Sequence, residues 1–71
     1  MYPNPTSDIL TIESANEFQY VEVYDVQLRL VKKVKASAKK FRLDLSYLNT
    51  GFYFVKVVEK DQFYMRKIIK K

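Results

Sequence analysis

Tyr20-Val21-Glu22-Val23-Tyr24-Asp25 is the stretch on which the reading of this chain turns. Val21 and Val23 alternate with Tyr20, Glu22 and Tyr24, a period of two that places the valines on one face of a strand and the other three on the opposite face. The same signal spreads outward in both directions. Ile9-Leu10-Thr11-Ile12-Glu13 is a short β-branched run, and Leu30-Val31-Lys32-Lys33-Val34 follows the central stretch. Phe41-Arg42-Leu43-Asp44-Leu45 sets Phe41, Leu43 and Leu45 on one face with Arg42 and Asp44 toward water. Phe52 to Val58 is apolar on both faces apart from Lys56, which predicts a central strand covered on two sides or an inner sandwich strand. Phe63-Tyr64-Met65-Arg66-Lys67-Ile68-Ile69 supplies the last run. Six to seven strands with turn signals about every 8–12 residues predict an all-β sandwich or barrel. One helical turn is expected, over Ser46-Tyr47-Leu48-Asn49, with Ser46 as its cap and Gly51 free to take positive φ on the way out.

Size and composition restrict the function classes. The chain has 71 residues, 48% of them hydrophobic and 15% aromatic, which is too apolar for a disordered tail and short enough to be one domain. A domain of this size usually leans on disulfides or a metal, but this chain has neither Cys nor His and must be held by packing. The same absence removes the usual zinc ligands, the commonest general base and the thiol nucleophile together. No cofactor, metal site or catalytic residue is assigned, and the expected class is not an enzyme. No run approaches the roughly 20 apolar residues of a membrane helix, and Met1 to Leu10 lacks the basic and apolar regions of a signal peptide.

Four motifs follow one another along the chain. Tyr2-Pro3-Asn4-Pro5 leads into the first strand, and Tyr24-Asp25 ends a later one. Asp44-Leu45-Ser46-x-Leu48-x-x-Gly51-x-Tyr53 runs into the long apolar strand, and Lys67-Ile68-Ile69-Lys70-Lys71 stands last. In this order the set resembles the C-terminal sorting domain of type IX secretion (the Por secretion system) of Bacteroidetes, over nearly the whole chain. The resemblance implies a small Ig-like Greek-key β-sandwich of six to seven antiparallel strands at the end of a larger exported protein. It also implies recognition by the outer-membrane translocon, a covalently attached N-terminal passenger, and removal of the domain by a cell-surface protease in many members. Localisation would be secreted or cell-surface, by way of the periplasm and outer membrane, with no membrane insertion and no small-molecule substrate. Residues 1–71 then form a single sorting domain, and Met1 directly before the first motif is an expression start. One departure stands out: Leu28 occupies the position where such domains commonly carry Gly, and a leucine at positive φ would cost on the order of 1–2 kcal/mol.

Each motif also has a purely structural account. In Tyr2-Pro3-Asn4-Pro5 both pre-proline residues are pushed out of the α region and Asn4 can form an Asx turn, giving a stiff entry to the first strand. In the third motif Ser46 can cap, Leu48 can plug the end of the sandwich, Gly51 can reverse the chain, and Tyr53 suits a rim. Asp25 ends a strand and Asp44 precedes a turn, so both carboxylates have local work. The resemblance places translocon recognition at Gly51, Tyr53, Arg66, Lys67, Ile68, Ile69, Lys70 and Lys71. A flexible cationic terminus is easily captured by strand addition or in a backbone nest.

Charge is unevenly distributed. Residues 1–31 carry Arg29 against five acids, a net of −4, and residues 32–71 carry twelve bases against three acids, a net of +9; together these give +5. Lys32, Lys33, Lys35, Lys39, Lys40 and Arg42 are crowded around Ala36-Ser37-Ala38. Such a run is either a solvated, lysine-guarded hairpin or a site for an anionic polymer, polysaccharide or nucleic acid. Nucleic acid would call for aromatics interleaved on one basic face, whereas most of the aromatics here are expected to follow core periodicity, which argues against it.

Overall fold

The computed structural model describes residues 1–3 and 5–71; the Asx turn expected at Asn4 lies outside the described residues. The described residues form four strands, β1 (Ile9–Tyr24), β2 (Leu30–Asp44), β3 (Gly51–Glu59) and β4 (Phe63–Lys70). They make one antiparallel sheet in the order β2-β1-β3-β4. The all-β class stands, but the count is four where six to seven were expected. Ile9–Glu13 and Tyr20–Tyr24 are the two halves of β1, while Leu30–Val34 and Phe41–Asp44 are the two halves of β2.

Length explains why runs that look separate in sequence are continuous in the fold. A straight strand of 16 residues would run about 50 Å, whereas the molecule measures 31 × 22 × 16 Å. The β1–β2 hairpin therefore bends back on itself. Its bend falls where the β1–β2 register slips, between Glu13 and Phe18 and again between Phe18 and Tyr20. Bulges of this kind turn a strand without ending it. They also shift the phase: Leu10, Ile12 and Phe18 are buried at even positions, Val21 and Val23 at odd ones. An unbroken alternation would have sent one of these sets to solvent.

The core lies between the arms of the bent hairpin. Leu10, Ile12 and Leu43 from one arm meet Val21 and Val23 from the other together with Val55 and Val57 of β3 and Ile68 of β4, with Phe18 at the bend and Leu45 beyond the end of β2. Phe41 packs partly against this cluster as the alternation of β2 predicts, and Arg42 and Asp44 are exposed. β3 is central, between β1 and β4, but only one of its faces is sealed. Tyr53, Val55 and Val57 are buried, whereas Phe54, Lys56 and Val58 are half-buried and Phe52 is exposed. Its second apolar face is not covered by another layer.

Two turns gather at one end of the sheet. In the first, the Leu28 N–H donates to the Asp25 carbonyl at 2.9 Å and the Asp25 N–H to the Arg29 carbonyl at 3.0 Å. Leu28 has φ 62°, so this turn keeps the glycine-favouring conformation although a leucine fills it. In the second, the Leu48 N–H donates to the Leu45 carbonyl at 3.0 Å. This is a turn with no helix, and the expected cap is reversed. The Asp44 carboxylate accepts the Ser46 N–H at 2.9 Å, because Asp44 stands where an Asx side chain closes the bend. Gly51 leaves the loop at φ 153°, as its expected freedom requires.

The first residues bind the body together. Tyr2 and Thr11 exchange backbone hydrogen bonds of 2.9 and 2.7 Å, and the Tyr2–Pro3 peptide is cis. Thr6, fully buried, forms a parallel bridge to Lys70.

Candidate functional site

The C-terminal strand is held from both sides. β3 pairs with all of β4, from Val58↔Phe63 to Gly51↔Lys70. On the other edge the Thr6 N–H donates to the Ile69 carbonyl at 2.8 Å, and the Lys71 N–H donates to the Thr6 carbonyl at 2.8 Å. The terminus expected to be flexible is thus fixed by its own backbone. Its side chains divide by the pleat: Ile68 is buried in the core, while Lys67 and Ile69 point to the opposite face and are exposed. Lys70 is buried, its Nζ donating to the Lys71 carbonyl at 2.8 Å. Arg66 lies over the Tyr64 ring at 5.1 Å and donates to the Met65 carbonyl at 3.1 Å. Tyr53 is buried, and its hydroxyl donates to the Asn49 carbonyl at 2.8 Å, tying the loop to β3. Of the residues singled out at this end, Arg66, Lys67, Ile69 and Lys71 are exposed to solvent, Gly51 is half-buried, and Tyr53, Ile68 and Lys70 are spent on the fold.

The other motif residues have local partners. Tyr2 donates through its hydroxyl to Glu13 at 3.1 Å; Pro3 and Pro5 are exposed. Leu48 packs against the core cluster from the loop, as a plug would. Asp25 receives the backbone N–H of Arg29 at 3.0 Å and of Gln27 at 2.9 Å on one oxygen, and the Arg29 Nε at 2.9 Å on the other. The Arg29 N–H, foremost, holds this carboxyl below the usual carboxylate range against a partial loss of solvation, with help from the guanidinium and Gln27. Asp44 is likewise held low, first by the Ser46 hydroxyl, then by the Ser46 N–H. Tyr24 donates to Glu22 at 3.0 Å, and that bond pushes its phenol up. Between the two turns lies an open groove of about 590 Å³, walled in part by Val26, Arg29, Tyr47 and Phe52. The carboxylate on its wall, Asp25, is already committed to its own turn.

The basic run of β2 is not one patch. Lys33 and Lys35 pair across from Glu22 and Tyr20 on one arm, while Lys40 and Arg42 pair across from Glu13 and Thr11 on the other. Lys39 is exposed near the bend, and Lys32 donates to the Asp44 carbonyl at 3.0 Å with its ammonium 4.9 Å from the Tyr47 ring centre. The bend separates what the sequence lists side by side.

A different surface collects the lysines and the rings. The face of β1, β3 and β4 turned away from the core carries Tyr20, Glu22 and Tyr24, then Phe52, Phe54, Lys56 and Val58, then Phe63, Met65, Lys67 and Ile69, in register. Lys33 lies 4.6 Å over Tyr20, Lys56 lies 4.5 Å over Phe63, and Lys67 lies 4.5 Å over Phe52. The expectation that aromatics follow core periodicity therefore fails: Phe18 and Tyr53 are in the core, but Tyr20, Tyr24, Phe52, Phe54 and Phe63 are on this outer face. The alternation of β3 and β4 carried that information, since each has large apolar side chains in both phases.

Comparison with known proteins agrees with the resemblance read from the motifs. Karilysin of Tannerella forsythia is 30% identical over 82 aligned residues, which take in 97% of this chain. This chain spans 17% of the length of that relative. A family model described as "Secretion system C-terminal sorting domain" matches residues 1–71. The chain belongs to that family, whose members are the C-terminal sorting signals of type IX secretion on proteins exported to the cell surface or beyond.

Proposed function

We propose that the chain works as a non-catalytic address that the outer-membrane translocon reads as a folded body, with a passenger joined ahead of residue 1. The observation that carries this is the anchoring of the last strand. Ile68 and Lys70 are buried, Thr6 pins the backbone, and Arg66, Lys67, Ile69 and Lys71 are displayed from a fixed frame. A signal read by shape has to present the same surface each time, and preorganisation lowers the entropy lost on recognition. In this reading residues 1–71 are one sorting domain, and the two arms of the bent hairpin are the layers of a Greek-key sandwich. The bulges mark where a description with six to seven strands would divide them. Cleavage by a surface protease falls in the chain before Tyr2.

The test is export of a reporter with a signal peptide and residues 2–71 appended, in a bacterium with this secretion system. Export is expected with the domain and not without it; equal export in its absence overturns the proposal. Removal of Lys70 and Lys71 is expected to lower export as well. No loss there overturns the role given to the terminus.

A further inference from the structure

The outer face of the sheet is not explained by the fold. A sheet face with nothing packed on it ordinarily alternates to polar side chains. Here many outward positions are large and apolar instead, with Phe52 47%, Phe63 61%, Met65 39% and Ile69 40% exposed. In register Phe52 lies opposite Ile69 at one end and Val58 opposite Phe63 at the other, with Phe54 opposite Lys67 and Lys56 opposite Met65 between them, so the apolar side chains and ammonium groups share one mixed face. We infer that this face is a docking surface for a protein partner presenting apolar side chains among carboxylates. The inference rests on the sorting role proposed above and names the surface through which that role is exercised.

Charge selects the partner's sign. On the described face Lys33, Lys35, Lys56 and Lys67 stand against one carboxylate, Glu22, which lies between Lys33 and Lys56 in register. A surface with that balance is complementary to an acidic one. Three of these ammonium groups are held over rings at 4.5–4.6 Å, which fixes their positions before any partner arrives.

The same contacts select a protein over a polyanion. Bases stack on the open faces of aromatic rings. On Tyr20, Phe52 and Phe63 a ring face already carries an ammonium group, which a base or sugar ring would have to displace. Ring edges, the Met65 and Ile69 side chains and ordered cations are left, which suit packed side chains and carboxylates. The start of the chain does not lie on this face. Met1 packs against the core cluster and lines a hollow with Glu13, Ser14, Tyr64 and Arg66, on the side of the sheet away from the patch.

The experiment uses the reporter export assay with the full 71-residue chain. One variant carries Lys33→Gln, Lys56→Gln and Lys67→Gln; a second carries Phe63→Ser and Met65→Ser. A third, with Lys39→Gln, Lys40→Gln and Lys60→Gln, removes the same charge from exposed positions off the face. The first two are expected to lower export about tenfold or more, and the third to leave it unchanged. Thermal unfolding of the purified chains is expected to stay within about 4 °C of the parent. Should the lysine variant fail to fold, the Phe63/Met65 variant decides. If removal of the whole domain abolishes export while both face variants export like the parent, the docking surface is wrong and the sorting role stands. If its removal changes nothing, the sorting role itself fails. Retention on a heparin or single-stranded DNA column at high salt, abolished by the lysine variant, would also overturn the inference, in favour of a polyanion.

Discussion

The carbonyl oxygen of Thr6 accepts the backbone N–H of Lys71 at 2.8 Å, joining the beginning of the fold to its last residue. One turn of chain away, the Thr6 side chain closes its own loop, its Oγ1 donating to the Ile9 carbonyl at 2.9 Å. Thr6 is wholly buried, so its own side of both bonds is shielded from water. Thr6→Val keeps the shape but leaves the Ile9 carbonyl without its donor, and is expected to cost about 1–2 kcal/mol in urea unfolding. Deletion of residues 1–6 is expected to speed amide exchange at Lys71 at least about tenfold, in proportion to the local opening it permits. An unchanged rate would show that the terminus is held by β3 alone.

Two turn positions should respond in opposite directions. Leu28 sits at φ 62° with its side chain 65% exposed, so it strains the turn and contributes little packing. Leu28→Gly is expected to stabilise the chain by about 1 kcal/mol, the strain relief exceeding the added freedom of the unfolded glycine. Gly51, at φ 153°, has open space around its missing Cβ, yet the backbone itself disfavours any side chain. Gly51→Ala is expected to destabilise by about 1–3 kcal/mol. Urea midpoints at constant slope would check both.

Acid should weaken the molecule through its two turns. The carboxyls of Asp25 and Asp44 are held low in the folded chain, so the stability they confer is fully present above the ordinary carboxylate pKa. It is lost as pH falls through their folded values, where both states become protonated. Asp25→Asn with Asp44→Asn should therefore lower stability at neutral pH and flatten its decline between pH about 5 and about 2. Tyr24 acts at the other limit: its raised phenol favours folding below pH about 10 and ceases to as pH rises through the folded value. Unfolding titrations at several pH values would reveal either slope.

Phe18 is the most exacting core position. It is fully buried at the bend, where it touches the cluster that both arms share. Phe18→Ala is expected to cost about 3–5 kcal/mol. A chain of 71 residues has a total stability of about 4–11 kcal/mol. A substantial unfolded population at 37 °C is the expected circular-dichroism result, and a fully folded variant would place the hinge of the core elsewhere.

How far the fold was legible can be judged from particular residues. The alternation of Val21 and Val23, and of Leu43 and Leu45, was a reliable guide to which side chains are buried, because strand periodicity is local. The count of strands was not. Ser14-Ala15-Asn16-Glu17 and Ala36-Ser37-Ala38-Lys39 have the composition of turns, and only the ladder that continues on both sides of them, Glu13 with Lys40 and Phe18 with Ala38, makes them a bend in continuous strands. Leu28 was legible as a strained position from the motif around it, and its backbone angle agrees. Thr6 gave no signal, since its burial comes from meeting Lys70 at the far end of the chain. The outer face was legible only in part: β3 and β4 have large apolar side chains in both phases, but the rings and lysines of β1, β2, β3 and β4 adjoin only through register.

The bond from Thr6 to Lys71 also sets an order in time. A ribosome makes residue 6 long before residue 71, and the loop between them must close before either gains from the contact. Thr6 can be seated only when the final strand has left the ribosome and paired with β3. Until then the Thr6 backbone lacks its two partners at Ile69 and Lys71, while Tyr2 can already pair with Thr11 and the Thr6 hydroxyl with the Ile9 carbonyl.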